Sequence, residues 1–129
     1  PLWSRGLGDV YKRQVLNHIS FTGGAYGKVT HSDGSANDGI VGTGDVLTIY
    51  DKNGGEMARY TFVIYGDVNG DGAVTSMDLL YVKRHILGTK LLEEPYLTAA
   101  DANRGNDGIT SIDLLYIKRH ILDIRYIEQ

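Results

Sequence analysis

Between Asp67 and Asp78 the chain sets oxygen-bearing side chains at a spacing that suits a hard cation. Asp67, Asn69 and Asp71 stand at positions one, three and five of a twelve-residue stretch, Gly72 stands at six, and Asp78 closes it at twelve. Ca²⁺ takes six to eight oxygens in a flexible geometry, and a loop of this length offers them from alternating positions, with glycine making the sharp turn and a backbone carbonyl at seven. Here that carbonyl belongs to Ala73, and Thr75 at nine could hold a water. An Asx-rich surface turn accounts for any three of these residues, but poorly for all of them at their fixed offsets.

A second stretch, Asp101–Asp113 (D-A-N-R-G-N-D-G-I-T-S-I-D), repeats the pattern one residue longer. Asp101, Asn103 and Asp113 keep their roles from either end. The middle ligand is Asn106 or Asp107, and the turn glycine is Gly105 or Gly108. Charge favours Asp107, because a carboxylate is the stronger ligand for a hard cation. A loop that has lost its metal is the competing reading here. We expect two Ca²⁺ ions, the second held more weakly. Neither loop is a standard EF-hand: position twelve is Asp rather than Glu, and the first loop is entered from Arg59–Tyr65 (R-Y-T-F-V-I-Y), which reads as a strand.

The elements that must position these loops are also duplicated. Thr75–Leu87 and Thr110–Leu122 are identical except at Met77/Ile112 and Val82/Ile117. Thr75 stands where an N-cap should be, and Asp78 three residues on can reach back to the first unpaired amides. Leu79, Val82 and Ile86 share one helix face, with Leu80 and Leu87 beside it, and Gly88 follows as a C′ residue. The second helix should run from Ser111 to about Asp123. Between the copies, Leu91–Ala100 reads as a short connecting helix with Pro95 in its first turn. Ile124, Tyr126 and Ile127 in the tail are expected to fold back.

Upstream, Val15–Tyr65 reads as β structure. Val46–Tyr50 (V-L-T-I-Y) is rich in β-branched and aromatic residues, Asp51–Gly55 is a turn centred on Asn-Gly, and Arg59–Tyr65 supplies the returning strand. Tyr60, Phe62 and Ile64 share one face of that strand, Thr61, Val63 and Tyr65 the other, and both faces should be covered. Residues 15–30 offer one or two further strands, and Asn37–Gly44 reads as loop. The first fourteen residues lack Met and a signal-peptide core, and Asp9–Gln14 (D-V-Y-K-R-Q) resembles a translated sequencing-adapter end, so Pro1–Gln14 is read as non-native.

The totals exclude several classes. A formal charge of −3 leaves no basic footprint for nucleic acid, and six Asp (67, 71, 78, 101, 107 and 113) are confined to the two repeats. Two divalent ions would add four charges and carry −3 to +1, so the acidity serves metal more than solubility. There is no cysteine, which removes disulfides, thiolate sites and a Cys nucleophile, and leaves calcium as the available staple for a small domain. Nothing looks catalytic: Glu occurs at 56, 93, 94 and 128 without forming a constellation, and the glycine-rich stretches lack a phosphate-loop frame. His85 and His120, at matched places near the helix ends, are expected to cap or to pack.

Taken together, the two loop–helix units from Gly66 to about Ile127 resemble a type I dockerin domain. The resemblance implies an α+β chain. Residues 15–65 would be a small, partial β-module. Residues 66–129 would be an all-α dockerin of two antiparallel loop–helix (F-hand) calcium motifs with a short connecting helix. It also implies a non-catalytic module of a secreted or surface-attached bacterial protein that binds a cohesin domain on a scaffold, as in cellulosome assembly and polysaccharide breakdown. The partner-contacting positions carry over to Ser76, Met77, Lys83 and Arg84 in the first copy and to Ser111, Ile112, Lys118 and Arg119 in the second. Near-identity of the copies implies that either could face the same partner. Met77 and Ile112 depart from the hydroxyl common at that place in the family, which leaves the choice of cohesin open. The chain is expected to be monomeric when free, with no nucleic-acid partner and no membrane insertion. Two other readings stand beside this one: a calcium-stapled structural module without a cohesin partner, and the C-terminal fragment of a secreted glycoside hydrolase. The β-module resembles, more weakly, the module preceding such repeats in surface proteins of anaerobic bacteria.

Overall fold

The computed structural model describes residues 23–37 and 39–129; the expectations for Pro1–Gln14 and for a strand in residues 15–22 lie outside them. Strands β1 (Tyr26–Thr30), β2 (Val46–Tyr50) and β3 (Glu56–Thr61) form one antiparallel sheet in chain order, with β2 central. Tyr26 pairs with Tyr50 and Val46 with Thr61 at the two ends of the central strand. The β2–β3 turn centres on Asn53-Gly54 as expected. Asp51 Oδ1 accepts from Asn53 N and Gly55 N at 2.8 and 2.9 Å, and Gly54 takes φ 84°.

β3 departs from the expected Arg59–Tyr65 in place and in burial. It begins at Glu56 and ends at Thr61, and it is an edge strand with little over it: Tyr60 is 59% exposed while Phe62 and Ile64 are buried. The anticipated cover on both faces is therefore absent along β3. After Thr61 the chain bends inward. Phe62 exchanges backbone hydrogen bonds with Gly44 and Asp45, and Ile64 N donates to Thr43 Oγ1 at 3.0 Å. This bend delivers the chain to Asp67.

Three helices follow: α1 (Ser76–Ile86), α2 (Tyr96–Ala100) and α3 (Ser111–Ile121). Both long helices start on a capping box. Thr75 Oγ1 accepts from Met77 N at 3.3 Å and Asp78 Oδ2 accepts from Thr75 N at 2.7 Å; Thr110 and Asp113 repeat this at 3.3 and 2.9 Å. Such a box satisfies two otherwise orphaned amides and contributes about 1 kcal/mol. The second helix ends two residues earlier than expected, and Asp123 (φ 57°) takes the left-handed C′ place that Gly88 (φ 72°) holds in the first copy.

The inward stripe of α1 is Asp78, Val82 and His85, matched on α3 by Asp113, Ile117 and His120. Spacing of four and three keeps these on one side. Ile86, expected to be buried, is 39% exposed, and Leu80 and Leu87 face outward too. The two helices are in contact; Val82 and Ile117 lie in one buried cluster, with Leu79 and Tyr81 of α1 and Leu114, Tyr116 and Ile121 of α3 packed against it. Each inward histidine accepts a backbone N–H from seven residues on: Leu92 N to His85 Nδ1 at 2.9 Å, and Ile127 N to His120 Nδ1 at 3.1 Å. That confirms the capping or packing role expected for them. Ile127 is buried and Tyr126 meets the His120 ring edge-on at 5.3 Å, but Ile124 is 69% exposed and does not fold back. Gln129 clasps Tyr65 through two hydrogen bonds, at 2.6 and 2.9 Å.

The buried cluster joins both parts of the chain. Val41, Leu47, Phe62 and Ile64 meet Val68, Val74, Val82, Ala100, Ile117 and Ile127 across the 65/66 boundary.

Candidate metal loops and duplicated face

The first loop is built around two buried carboxylates. Asp67 Oδ1 accepts from Gly70 N and Asp71 N at 3.0 and 3.2 Å; its Oδ2 accepts from Gly72 N at 3.0 Å and from Thr43 N at 2.9 Å. Asp78 Oδ1 takes Val68 N and Asn69 N at 2.8 and 3.1 Å, while its Oδ2 holds the helix cap. One acceptor therefore ties the loop entrance to the first turn of α1. Asp71 Oδ1 accepts from Ala73 N at 3.0 Å, and Asn69 Oδ1 accepts from Asp71 N at 3.2 Å.

Asp67, Asp71 and Asp78 each bring a carboxylate oxygen within 4.8 Å of the others. Burial pushes the Asp67 carboxyl up to about 7, and the charges of Asp78 and Asp71 add to the rise. Burial likewise pushes Asp78 up to about 6, with Asp71 adding to it. Carboxylates crowded in this way repel unless protonated or bridged by a cation. The donor set is all oxygen, with carboxylates from both ends of the loop, and it fits Ca²⁺.

The second loop matches at its ends. Asp101 Oδ2 accepts from Asn106 N at 3.1 Å, as Asp67 Oδ2 does from Gly72 N. Asp113 accepts from Asn103 N at 3.3 Å and Thr110 N at 2.9 Å, as Asp78 does from Asn69 and Thr75. Arg104 (φ 52°) and Asn106 (φ 54°) take the left-handed places of Gly70 (φ 80°) and Gly72 (φ 83°). Gly105 consequently falls where Asp71 stands in the first loop. A Cβ built on Gly105 would lie 3.0 Å from Asp107 Oδ1, so the Asp107 carboxylate lies against the space of the missing side chain. The extra residue enters after the turn. Asn106, one of the two sequence candidates for the middle ligand, occupies the turn place instead.

Burial raises the Asp113 pKa, and the charges of Asp101 and Asp107 raise it further. Asp101 Oδ1 is buried without a hydrogen-bond partner. An orphaned acceptor of this kind costs about 1–3 kcal/mol, and a bound cation would satisfy it. This donor set also fits Ca²⁺. Among the described residues, however, the first loop alone gathers three carboxylates within 4.8 Å.

The duplicated face lies on the opposite side of the helices from their shared stripe. Ser76, Met77, Lys83 and Arg84 are exposed on α1; Ser111, Ile112 and Lys118 are exposed and Arg119 half-buried on α3. Met77 and Ile112 are each 47% exposed, so neither copy is covered. Leu80, Leu87, Leu115 and Leu122 extend these patches outward. The helical period had placed Leu80 and Leu87 beside the apolar face; in the fold both are exposed. Sequence reasoning also missed Thr43. Its amide meets Asp67 from 24 residues away, and no local pattern marks it.

The elements above define a duplicated loop–helix module with acidic, oxygen-rich loops. Residues 65–122 match the family model described as the dockerin type I domain, and this part of the chain belongs to that family. Two solved structures of the third cohesin ScaC in complex with the ScaB dockerin of Acetivibrio cellulolyticus contain a similar chain. One carries a mutation in the dockerin's N-terminal helix and the other in its C-terminal helix (IN to SI in each). Identity is 31% and 32%, over 51% of this chain and 92% of that chain, with a TM-score of 0.47 in each case. No curated protein matches the chain. Among the described residues, no helix is long and apolar enough to cross a membrane.

Proposed function

We propose that this chain is a non-catalytic, calcium-dependent protein-binding module that anchors its parent to a cohesin-bearing scaffold or surface protein outside a bacterial cell. The carrying observation is the duplicated face: a hydroxyl, an apolar anchor and two long cations recur at the same helix offsets, all exposed in both copies except Arg119, which is half-buried. A bare helix needs basic residues in its last turn only for its dipole, worth about 0.3–1 kcal/mol each. Helix capping does not call for the same Ser at the same loop place twice. Apolar anchors ringed by long polar side chains have the anatomy of a binding patch. The match of residues 65–122 to the dockerin type I model supports a cohesin as the partner.

In this reading Asp67, Asn69, Asp71, Ala73 and Asp78 hold one ion, and Asp101, Asn103, Asp107 and Asp113 hold the other. Asn106 serves the second loop through its backbone turn. A bound Ca²⁺ supplies the positive charge that crowded carboxylates lack. The protein's own part is mechanical. Asp78 and Asp113 each join a loop entrance to a helix start, so a closed loop fixes where Ser76–Met77 and Ser111–Ile112 stand.

Titration against a panel of type I cohesins, with calcium and with chelator, tests the proposal. Binding should require calcium. Lys83→Ala with Arg84→Ala should leave affinity largely intact, as should Lys118→Ala with Arg119→Ala, while all four together should abolish it. A large loss from either pair alone would refute interchangeable faces. A folded, calcium-loaded chain that binds no cohesin would leave the structural-module reading in its place.

A further inference from the structure

The first metal loop does not stand alone: the segment Val41–Thr43, between β1 and β2, lies against its outer side. We propose that this segment is a built-in brace for the first loop, making the two calcium sites unequal and coupling the β-sheet to the first site only. The inference rests on the calcium reading of the first loop.

Contact between the two backbones is close. A Cβ on Gly42 would lie 2.0 Å from the Gly70 carbonyl oxygen and 2.9 Å from Gly72 N. From the other side, a Cβ on Gly70 would lie 2.7 Å from Thr43 O, and one on Gly72 would lie 2.7 Å from Val41 O. Backbone cannot swing aside as a side-chain tip can, so glycine is required at all three places by space, and at Gly70 and Gly72 by their positive φ as well. Across this contact Thr43 N donates to Asp67 Oδ2, and Thr43 Oγ1 both donates to Ile64 O at 3.2 Å and accepts from Ile64 N.

The brace is itself held. Buried Asp45 accepts from Asn37 Nδ2 at 2.7 Å and from Gly42 N at 2.9 Å through Oδ2, while its Oδ1 lies 3.2 Å from His31 Nδ1. The segment is thus anchored to the end of β1 before it reaches the loop. Among the described residues the second loop has no counterpart. Arg104 and Asn106 carry full side chains at the places of Gly70 and Gly72, and a Cβ on Gly108 would meet nothing within 4 Å. Freed of a wall, that loop has accommodated an extra residue. A loop already held in shape loses less freedom when it binds, and linkage makes the effect mutual: an ion in the first loop must also steady the brace.

The test uses the full chain with the second loop silenced by Asp101→Asn and Asp107→Asn. Calorimetric titration of calcium should then show the first site weakened about tenfold or more by Gly42→Ala, the scale of losing one hydrogen bond to a charged acceptor. Gly39→Ala, whose Cβ would meet nothing within 4 Å, should leave the affinity unchanged. Should Gly42→Ala fail to fold, deuterium uptake by residues 41–45 in the parent decides. Calcium should slow uptake when only the first loop is functional, and should have no such effect when that loop is silenced by Asp71→Asn and the second is intact. Unchanged affinity in folded Gly42→Ala, or equal slowing from either loop, overturns the brace. Failure of the wild-type chain to bind calcium at all would instead overturn the underlying reading of the loops.

Discussion

Replacing Asp71 by Asn should stabilise the calcium-free protein and blunt its response to calcium. Asn keeps the Oδ1 acceptor for Ala73 N–H and sacrifices only an exposed 3.3 Å contact from Asn69 Nδ2. What it removes is one of three carboxylates gathered within 4.8 Å. At that separation two unit charges repel by about 1 kcal/mol under water-like screening and about 3 kcal/mol at an effective dielectric of ~20. Asp71 is exposed, so the lower figure applies to each of its two pairs, and partial protonation of Asp67 and Asp78 reduces it further. A gain of about 1 kcal/mol in EDTA follows, a rise of a few degrees for a domain of this size. With calcium at 100 times Kd an intact site adds about 2.7 kcal/mol; a variant binding a hundredfold more weakly keeps only a small part of that. Thermal melts of both proteins, in EDTA and in calcium, read the two effects separately. An Asn variant that melts below wild type in EDTA, or whose calcium-induced rise equals that of wild type, would refute the reasoning.

Asp78→Ala should behave differently, because Asp78 also caps α1 and holds Val68 N: about 1 kcal/mol for the cap and a further 1–3 kcal/mol for the orphaned amide are lost even in chelator, visible as a lower melt in both buffers. In the second loop, Asp107→Asn should weaken calcium binding by about tenfold, on the scale of a charge-assisted contact, whereas Asn106→Gly, which suits the left-handed turn, should leave it intact; equal effects in calorimetry would contradict the placement of Asp107. In chelator, Asp67 and Asp78 are held protonated to about 7 and about 6. The folded state therefore binds more protons than the unfolded one from the ordinary aspartate value of 3.8 upward, and the stability they contribute below that value is lost as pH rises through 6 to 7. A calcium-free protein that melts higher at about pH 8 than at about pH 5 would contradict this sign.

What the sequence made legible was local. The first loop's gathered carboxylates, the capping boxes and the Asn-Gly turn each depend on residues within a dozen positions of one another, so their offsets carry the geometry. The outward turn of Leu80 and Ile86 was not legible, because α1 carries apolar residues round more of its circumference than the core buries, and only packing decides which edge is left out. β3 slipped for a related reason: Tyr60 and Phe62 alternate correctly, but the chain bends into the loop between them. Least legible was the reason the second loop differs. Read along the chain, D-A-N-R-G-N-D-G looks like a degraded copy of D-V-N-G-D-G. In the fold its Arg104 and Asn106 occupy the same left-handed turns as Gly70 and Gly72, and what has changed is the neighbour. The first loop is pressed against Gly42 and Thr43 and cannot admit a side chain; among the described residues the second meets no such backbone wall. Loss of glycine there marks the absence of a contact and does not by itself mark the loss of an ion. Asp107, lying against the space beside Gly105, is how that loop could have kept a carboxylate in the middle place after its register moved.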